Sequence, residues 1–154
     1  MENPLEIKDT VEFFQHHVYF SRFAQEEREY LAKLCNRKIV KKNESVFNEN
    51  DIGKSGFVVR SGGVKIFKAG FLGEETIVQL PQGELFGEMA LLDASPRSAS
   101  AKAMDETVLI ELTSDAYESL KREKPEIAVK LMDIFLKLLT TRLRNTTLKL
   151  FAQF

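Results

Sequence analysis

Apolar and polar positions along this chain follow three successive rhythms. Between residues 11 and 35 the apolar side chains recur at helical steps. Val11, Phe14, Val18 and Phe20 mark one set, and Ser21-Arg22-Phe23 breaks it. Tyr30, Leu31 and Leu34 mark a second helix over residues 26–35. Neither apolar face is large enough to fold alone, so both helices need a surface to pack on. From Arg37 to Leu112 the period falls to two. Short strands are predicted at residues 38–41, 45–47, 56–60, 64–68, 76–80, 98–103 and 107–112. Gly62-Gly63 predicts a hairpin joining 56–60 to 64–68, and 71–73 is a further turn. Several short strands separated by turns suggest an antiparallel sandwich or jelly-roll barrel.

The third rhythm is helical again. Thr113-Ser114-Asp115 caps a helix through Lys121, and Pro125 opens another, from Glu126 to about Phe151. That last helix carries two apolar stripes. Ile127, Leu131, Ile134 and Leu138 form one, and Met132, Phe135, Leu139 and Leu143 form the other. A helix packed on one surface needs only one stripe. One is expected to face the strands and the other the same helix of a second subunit, as a parallel coiled-coil-like homodimer. Asn145, near the continuation of the first stripe, would fix the register. The alternative is that both stripes fold back on this subunit's own N-terminal helices.

All eight glycines lie between Gly53 and Gly87, which separates turn-rich strands from helical flanks. The 154 residues suffice for one domain with one core. Lys plus Arg total 22 against 23 for Asp plus Glu, so no basic excess points to nucleic acid. The single cysteine, Cys35, reads as a buried thiol and suits a reducing, cytoplasmic home. No basic start followed by an apolar block opens the chain. The most apolar stretch, residues 134–139, contains Lys137 and is far short of the roughly 20 residues a membrane span requires.

The most informative segment runs from Gly83 to Lys102. A glycine turn leads to a carboxylate, a short apolar helical run, a proline stop, and an arginine with two serines entering a strand. That arrangement can bind a small phosphorylated sugar. Backbone N–H groups at a helix start point at an anion, an arginine brings a planar fork to the same anion, and a carboxylate accepts from sugar hydroxyls.

The segment closely resembles the phosphate-binding cassette of cyclic nucleotide-binding domains. The family pattern is Phe-Gly-Glu, an apolar residue, Ala-Leu, a short loop, Pro-Arg, a small residue, Ala, then Ser or Thr. Here it is Phe86-Gly87-Glu88-Met89-Ala90-Leu91-Leu92, Asp93-Ala94-Ser95, Pro96-Arg97-Ser98-Ala99-Ser100. The likeness extends over roughly residues 12–145. Glu49-Asn50-Asp51-Ile52-Gly53 and Ser61-Gly62-Gly63-Val64 fall where the family's barrel turns usually carry Gly. Asn50 stands where Gly is frequent, and Asn tolerates the left-handed conformation.

The resemblance implies a mainly β fold: an antiparallel jelly-roll β-barrel, or double-stranded β-helix, with N-terminal helices and a C-terminal helix pair. Residues 1–154 would form a single domain. Its N-terminal helices would span about 5–36, the barrel and cassette about 37–112, and the lid and dimerisation helices 113–151. Phe86, Gly87, Glu88, Met89, Ala90, Arg97, Ser98 and Ala99 would bind the ligand. Arg97 would take the cyclic phosphate, Glu88 the ribose 2′-hydroxyl, and Ala90 would offer a free N–H to a phosphate oxygen. Ser98 would add a hydroxyl and an N–H. In the catabolite activator-like members a Thr-Ser pair on the last helix reads adenine. Thr146 and Thr147 stand in a similar context, Arg144 is placed to stack on the purine instead, and a solvated polar face is the third reading. Cyclic AMP is favoured over cyclic GMP. Those transcription factors continue into a helix-turn-helix domain, whereas this chain ends at Phe154, so a free-standing sensor or a fragment is expected. Ligand would draw the cassette inward and repack the last helix as a lid, for a downstream protein that the sequence does not identify.

An enzyme is not expected. His16 and His17 diverge on a helix and cannot chelate one metal as an i, i+4 pair can. No nucleophile elbow, Cys-His pairing or Walker loop occurs. No catalytic residue, metal or cofactor is implied beyond the nucleotide ligand, and neither nucleic acid nor membrane is an expected partner. The rival reading is a member of the fold that has lost binding and acts as a protein–protein interaction module.

Overall fold

The computed structural model describes residues 2–152; Met1, Gln153 and Phe154 lie outside them. The chain divides into two compact units, one up to Glu118 and one from Ser119, with the boundary inside a helix.

The first unit opens with α1 (Pro4–His16), a 3-10 turn (Phe20–Arg22) and α2 (Gln25–Leu34). Asn3 caps α1 by accepting the Leu5 N–H at 3.0 Å, and Pro4 takes a first-turn position where its missing N–H costs nothing. The helix stops at His16, short of the predicted apolar set. Val18 is consequently exposed, while Phe20 turns inward from the 3-10 turn to meet Phe14 at a centroid distance of 4.5 Å. Asp9 ties α1 to the strands through Arg37 at 2.9 Å and Arg60 at 2.7 Å. The hydrogen bond from Arg60 holds the Asp9 carboxyl below the usual carboxylate range. Burial pushes the Cys35 thiol, at the end of α2, up to about 12.

Eight strands follow in two four-stranded antiparallel sheets. They are β1 (Asn36–Val40), β2 (Ser45–Phe47), β3 (Ser55–Ser61), β4 (Val64–Gly70), β5 (Gly73–Leu80), β6 (Leu85–Phe86), β7 (Ser100–Ala103) and β8 (Thr107–Thr113). One sheet runs β1-β8-β3-β6 and the other β2-β7-β4-β5. This is the expected jelly-roll arrangement, as two facing sheets not closed into a barrel. The inner faces meet in a core of Val40, Phe57, Val59, Phe86 and Leu109 from the first sheet and Val64, Leu80, Ala101 and Ala103 from the second. Burying each of the larger side chains contributes about 1.5–3 kcal/mol.

The predicted hairpin across Gly62-Gly63 does not form. β3 pairs with β6 and β8, and β4 pairs with β5 and β7, so the two glycines carry the chain from one sheet to the other. Gly62 has φ +83°, and a Cβ there would lie 2.5 Å from Thr107 Oγ1. The Thr107 hydroxyl donates to Gly63 O at 3.0 Å and accepts the Gly63 N–H at 3.2 Å, fastening the crossover under β8. The local hairpin is instead β4–β5, with Phe71 and Leu72 fully exposed at its tip.

Thr113 caps α4 (Ser114–Glu123), its hydroxyl accepting the Ala116 N–H at 3.1 Å. The second unit consists of the end of α4 and α5, which begins at Pro125 as expected and runs Pro125–Ala152. Ile127, Ala128, Leu131, Ile134, Phe135 and Leu138 are its buried positions. Phe135 therefore belongs to the buried face and not to the second stripe. That stripe consists of Val129, Met132, Leu136, Leu139 and Leu143, at alternating three- and four-residue steps, and all but the half-buried Leu139 are exposed. Among the described residues no helix is long and apolar enough to cross a membrane.

Candidate functional site

The cassette lies wholly in the first unit. β6 ends at Phe86, whose ring stacks on Phe57 at 5.2 Å, so this residue anchors the cassette in the core. Gly87 then turns the chain with φ +70°, a left-handed conformation that glycine adopts without strain. Glu88 and the one-turn helix α3 (Met89–Leu92) follow. Glu88 is 2% exposed, a buried carboxylate within the electrostatic reach of Arg97. Ala90 and Leu91 pack inward, whereas Met89 is exposed.

Arg97 is held from several directions. Its backbone is clasped by the 48–51 turn: Asn50 N donates to Arg97 O at 2.9 Å, and Arg97 N donates to Asp51 O at 2.7 Å. Asn50 adopts φ +70° in that turn, the left-handed conformation allowed to it by its residue type. The guanidinium donates from Nη1 to Gly87 O at 3.0 Å and from Nη2 to Ser55 O at 2.7 Å. The Ser55 hydroxyl donates to Glu111 Oε1 at 2.6 Å, which fixes the residue that presents this carbonyl. The ring of Phe47 lies against the guanidinium, 4.1 Å from Cζ to centroid. Two of the five N–H donors are thus used, and the other three have no protein acceptor among the described residues. Among the described residues neither Glu84 nor Asp93 forms an ion pair with it, and Asp93 accepts from Ser95 N instead.

Burial lowers the Arg97 pKa from its ordinary value, and the charges of Asp51 and Glu88 oppose that shift. A guanidinium stays protonated under such a shift. The site therefore holds a half-buried cation aimed by two carbonyls, with the charges of Asp51 and Glu88 nearby but no contact ion pair to a carboxylate among the described residues. A bound anion would relieve that cost. The buried Glu88 carboxylate would repel an anion and suits a neutral hydroxyl donor.

The structure brings Gly87, Glu88 and Arg97 together, with Ala90 and Ala99 buried beside them and Ser98 exposed at the mouth of β7. One expectation is corrected. The Ala90 N–H is not free; it donates to Gly87 O at 3.3 Å, because the tight turn into so short a helix brings that carbonyl over it. Arg144, Thr146 and Thr147 lie in the second unit, exposed on α5, and the two threonine hydroxyls donate to Arg142 O and Leu143 O. Phe47, Ser55 and Gly53 were not foreseen as parts of the site. A Cβ on Gly53 would lie 2.5 Å from Ala90 Cβ and 3.1 Å from Arg97 Cζ, so this glycine lets β3's approach pass close beneath the cassette. Its place in a glycine-bearing turn was the only trace of that role in the sequence.

A family model described as a cyclic nucleotide-binding domain matches residues 37–124. The chain belongs to this family. It is 37% identical over 132 residues to the cyclic AMP receptor protein of Thermus thermophilus, covering 85% of this chain and 59% of that protein. The crystal structure of the Thermus thermophilus catabolite activator protein superposes with a TM-score of 0.73 at 35% identity, over 90% of this chain and 61% of that one. A cyclic nucleotide-binding domain from Methylobacillus flagellatus superposes with a TM-score of 0.83 at 27% identity, over 96% of this chain and 84% of that one. The chain also matches the cAMP-dependent protein kinase regulatory subunit of Debaryomyces hansenii, at 28% identity over 100 residues and 22% of that protein's length. It thus spans three fifths or less of the named receptor and regulatory-subunit relatives. The family's ligand is a cyclic nucleotide, and the domain is a regulatory one.

Proposed function

We propose that this chain senses a cyclic nucleotide, with cyclic AMP preferred over cyclic GMP. The observation that carries the reading is Arg97, a half-buried guanidinium with three donors unused and no contact ion pair among the described residues. The cyclic phosphate's exocyclic oxygens complete its fork, and the buried Glu88 carboxylate accepts from the ribose 2′-hydroxyl. Phe86, Gly87, Met89, Ala90, Ser98 and Ala99 shape the cradle around them. The names of the Thermus and Debaryomyces relatives, a cyclic AMP receptor and a cAMP-dependent kinase regulatory subunit, support cyclic AMP as the ligand. The chain is a regulatory module without catalysis, works in the cytoplasm as one functional domain, and hands its signal to a protein partner.

The exposed stripe of α5 supports a homodimer, because its three- and four-residue spacing is that of a coiled-coil seam. Ligand acts on α5 only to the extent that it binds one arrangement of that helix more tightly than another.

Calorimetric titration with cyclic AMP and cyclic GMP, beside Arg97→Ala, tests the reading. Removing one partner of a buried charge pair costs roughly 3–5 kcal/mol, so the variant should bind at least about 100-fold more weakly. A folded, ligand-free wild type that binds neither nucleotide would sink the sensor and leave the interaction module standing.

A further inference from the structure

Phe47 ends β2, fifty residues before Arg97, and nothing in the cassette motif refers to it. Its ring touches two different environments. One side joins the core, with centroids 6.2 Å from Phe57 and 6.1 Å from Phe86. The other lies against the guanidinium of Arg97 at 4.1 Å. An aliphatic side chain would satisfy the core. Only an aromatic one presents a negative π face to the cation. The two carbonyl acceptors, Gly87 O and Ser55 O, act on Nη1 and Nη2. Carbonyls gripping the fork at its rim leave the plane free to tilt, and a ring on one face removes that freedom.

We propose that Phe47 is a positioning residue for ligand capture: it orients the Arg97 guanidinium and closes one face of it, so that the remaining donors meet the cyclic phosphate in a fixed plane. This rests on the nucleotide-sensor reading above. The arrangement places the ordering cost of a long arginine side chain in folding and not in binding. It also keeps water from one face of the cation before ligand arrives, which strengthens the remaining hydrogen bonds.

The test is a double-variant cycle read by cyclic AMP titration, with Phe47→Leu, Arg97→Lys and the pair. Leucine keeps the apolar contact and removes the π face. Lysine keeps the charge and loses the planar fork. Phe47→Leu in the wild-type background should weaken binding about 5- to 30-fold, the range of a partly desolvated cation–π contact. In the Arg97→Lys background the same change should alter binding by less than about 2-fold, because the oriented plane is already gone. Phe47→Tyr should restore affinity to within about 3-fold of wild type, and unliganded melting curves verify that each variant is folded. A Phe47→Leu protein that binds like wild type, or loses the same factor in both backgrounds, overturns the positioning role while leaving the sensor intact. A wild type that binds no cyclic nucleotide overturns both.

Discussion

Gly87→Ala separates folding from ligand capture more cleanly than any change to a charged residue. Two costs arise at this position. The backbone sits at φ +70°, where an L-residue loses roughly 1–2 kcal/mol relative to glycine. Alanine recovers about 0.4–1 kcal/mol of that by reducing the freedom of the unfolded chain. The net loss is about 1 kcal/mol, a fall in Tm of about 2–4 °C for a chain of this size. The second cost is steric. The new Cβ would lie 2.9 Å from Arg97 Nη1, 3.3 Å from the Phe57 ring and 3.4 Å from Ser55 O. The closest of these atoms is the tip of a flexible side chain, so folding survives by displacing the guanidinium. That movement breaks the bond to Gly87 O and misaligns the bond to Ser55 O. A displaced guanidinium no longer meets the cyclic phosphate squarely, and a charge-assisted hydrogen bond to the ligand is worth about 1.5–3 kcal/mol, so cyclic AMP affinity should fall roughly 10- to 150-fold. Differential scanning calorimetry gives the first quantity and isothermal titration the second. A variant that loses the predicted stability yet binds within about 2-fold of wild type would refute the claim that Gly87 keeps Arg97 in place.

Two further outcomes follow from other parts of the molecule. His17 is buried, with Nδ1 accepting the Tyr19 N–H at 3.1 Å, so Nε2 carries the proton and donates to Gly83 O at 2.7 Å. Burial lowers its pKa below 6.5, although Gly83 O and the charge of Glu84 oppose the shift. The unfolded chain takes up the proton first, so this contribution is complete above pH 6.5 and declines as pH falls from there to the lower folded value, by at most about 1.4 kcal/mol per pH unit. Glu12, His16, Arg60 and Glu84 line the same cleft. Urea unfolding between pH 7.5 and 5.5 should therefore give a steeper loss for wild type than for His17→Gln, and parallel lines would contradict the assignment. On α5, Leu136 and Leu143 are 63% and 67% exposed, so replacing both with Glu should change unfolding stability by no more than about 1 kcal/mol. Sedimentation should shift from dimer to monomer, and an unaltered profile would remove the α5 seam from the proposed assembly.

The cassette was legible in the sequence because its chemistry is local. Gly87, Glu88 and Arg97 sit within a few turns of chain, and the spacing of a tight turn, a short helix and a proline stop is set by backbone sterics that neighbouring residues carry themselves. The cap at Thr113 behaves alike, since its side chain bonds an N–H three residues away. Thr113 and Pro125 marked two helix starts correctly for that reason. Alternation with period two also announced seven of the eight strands and missed β6, whose two residues are too few to alternate. It did not announce their partners. β3 and β4 are adjacent in sequence and look like a hairpin, yet Gly62 crosses between sheets, and Thr107, far along the chain, bonds Gly63 there and leaves no room for a Cβ on Gly62. Strand pairing is decided by which inner faces bury the most apolar surface together, and that sum has no local signature. The same limit separates the two stripes of α5, where spacing placed Phe135 in the second stripe and burial puts it with the first. It also hides the surroundings of Arg97. The sequence by itself determined the family and placed a carboxylate and an arginine within one short cassette. Only the tertiary structure decided that Phe47, Ser55 and Gly53 hold that arginine, because these contacts join residues more than forty positions apart and exist only once the sheets have closed on each other.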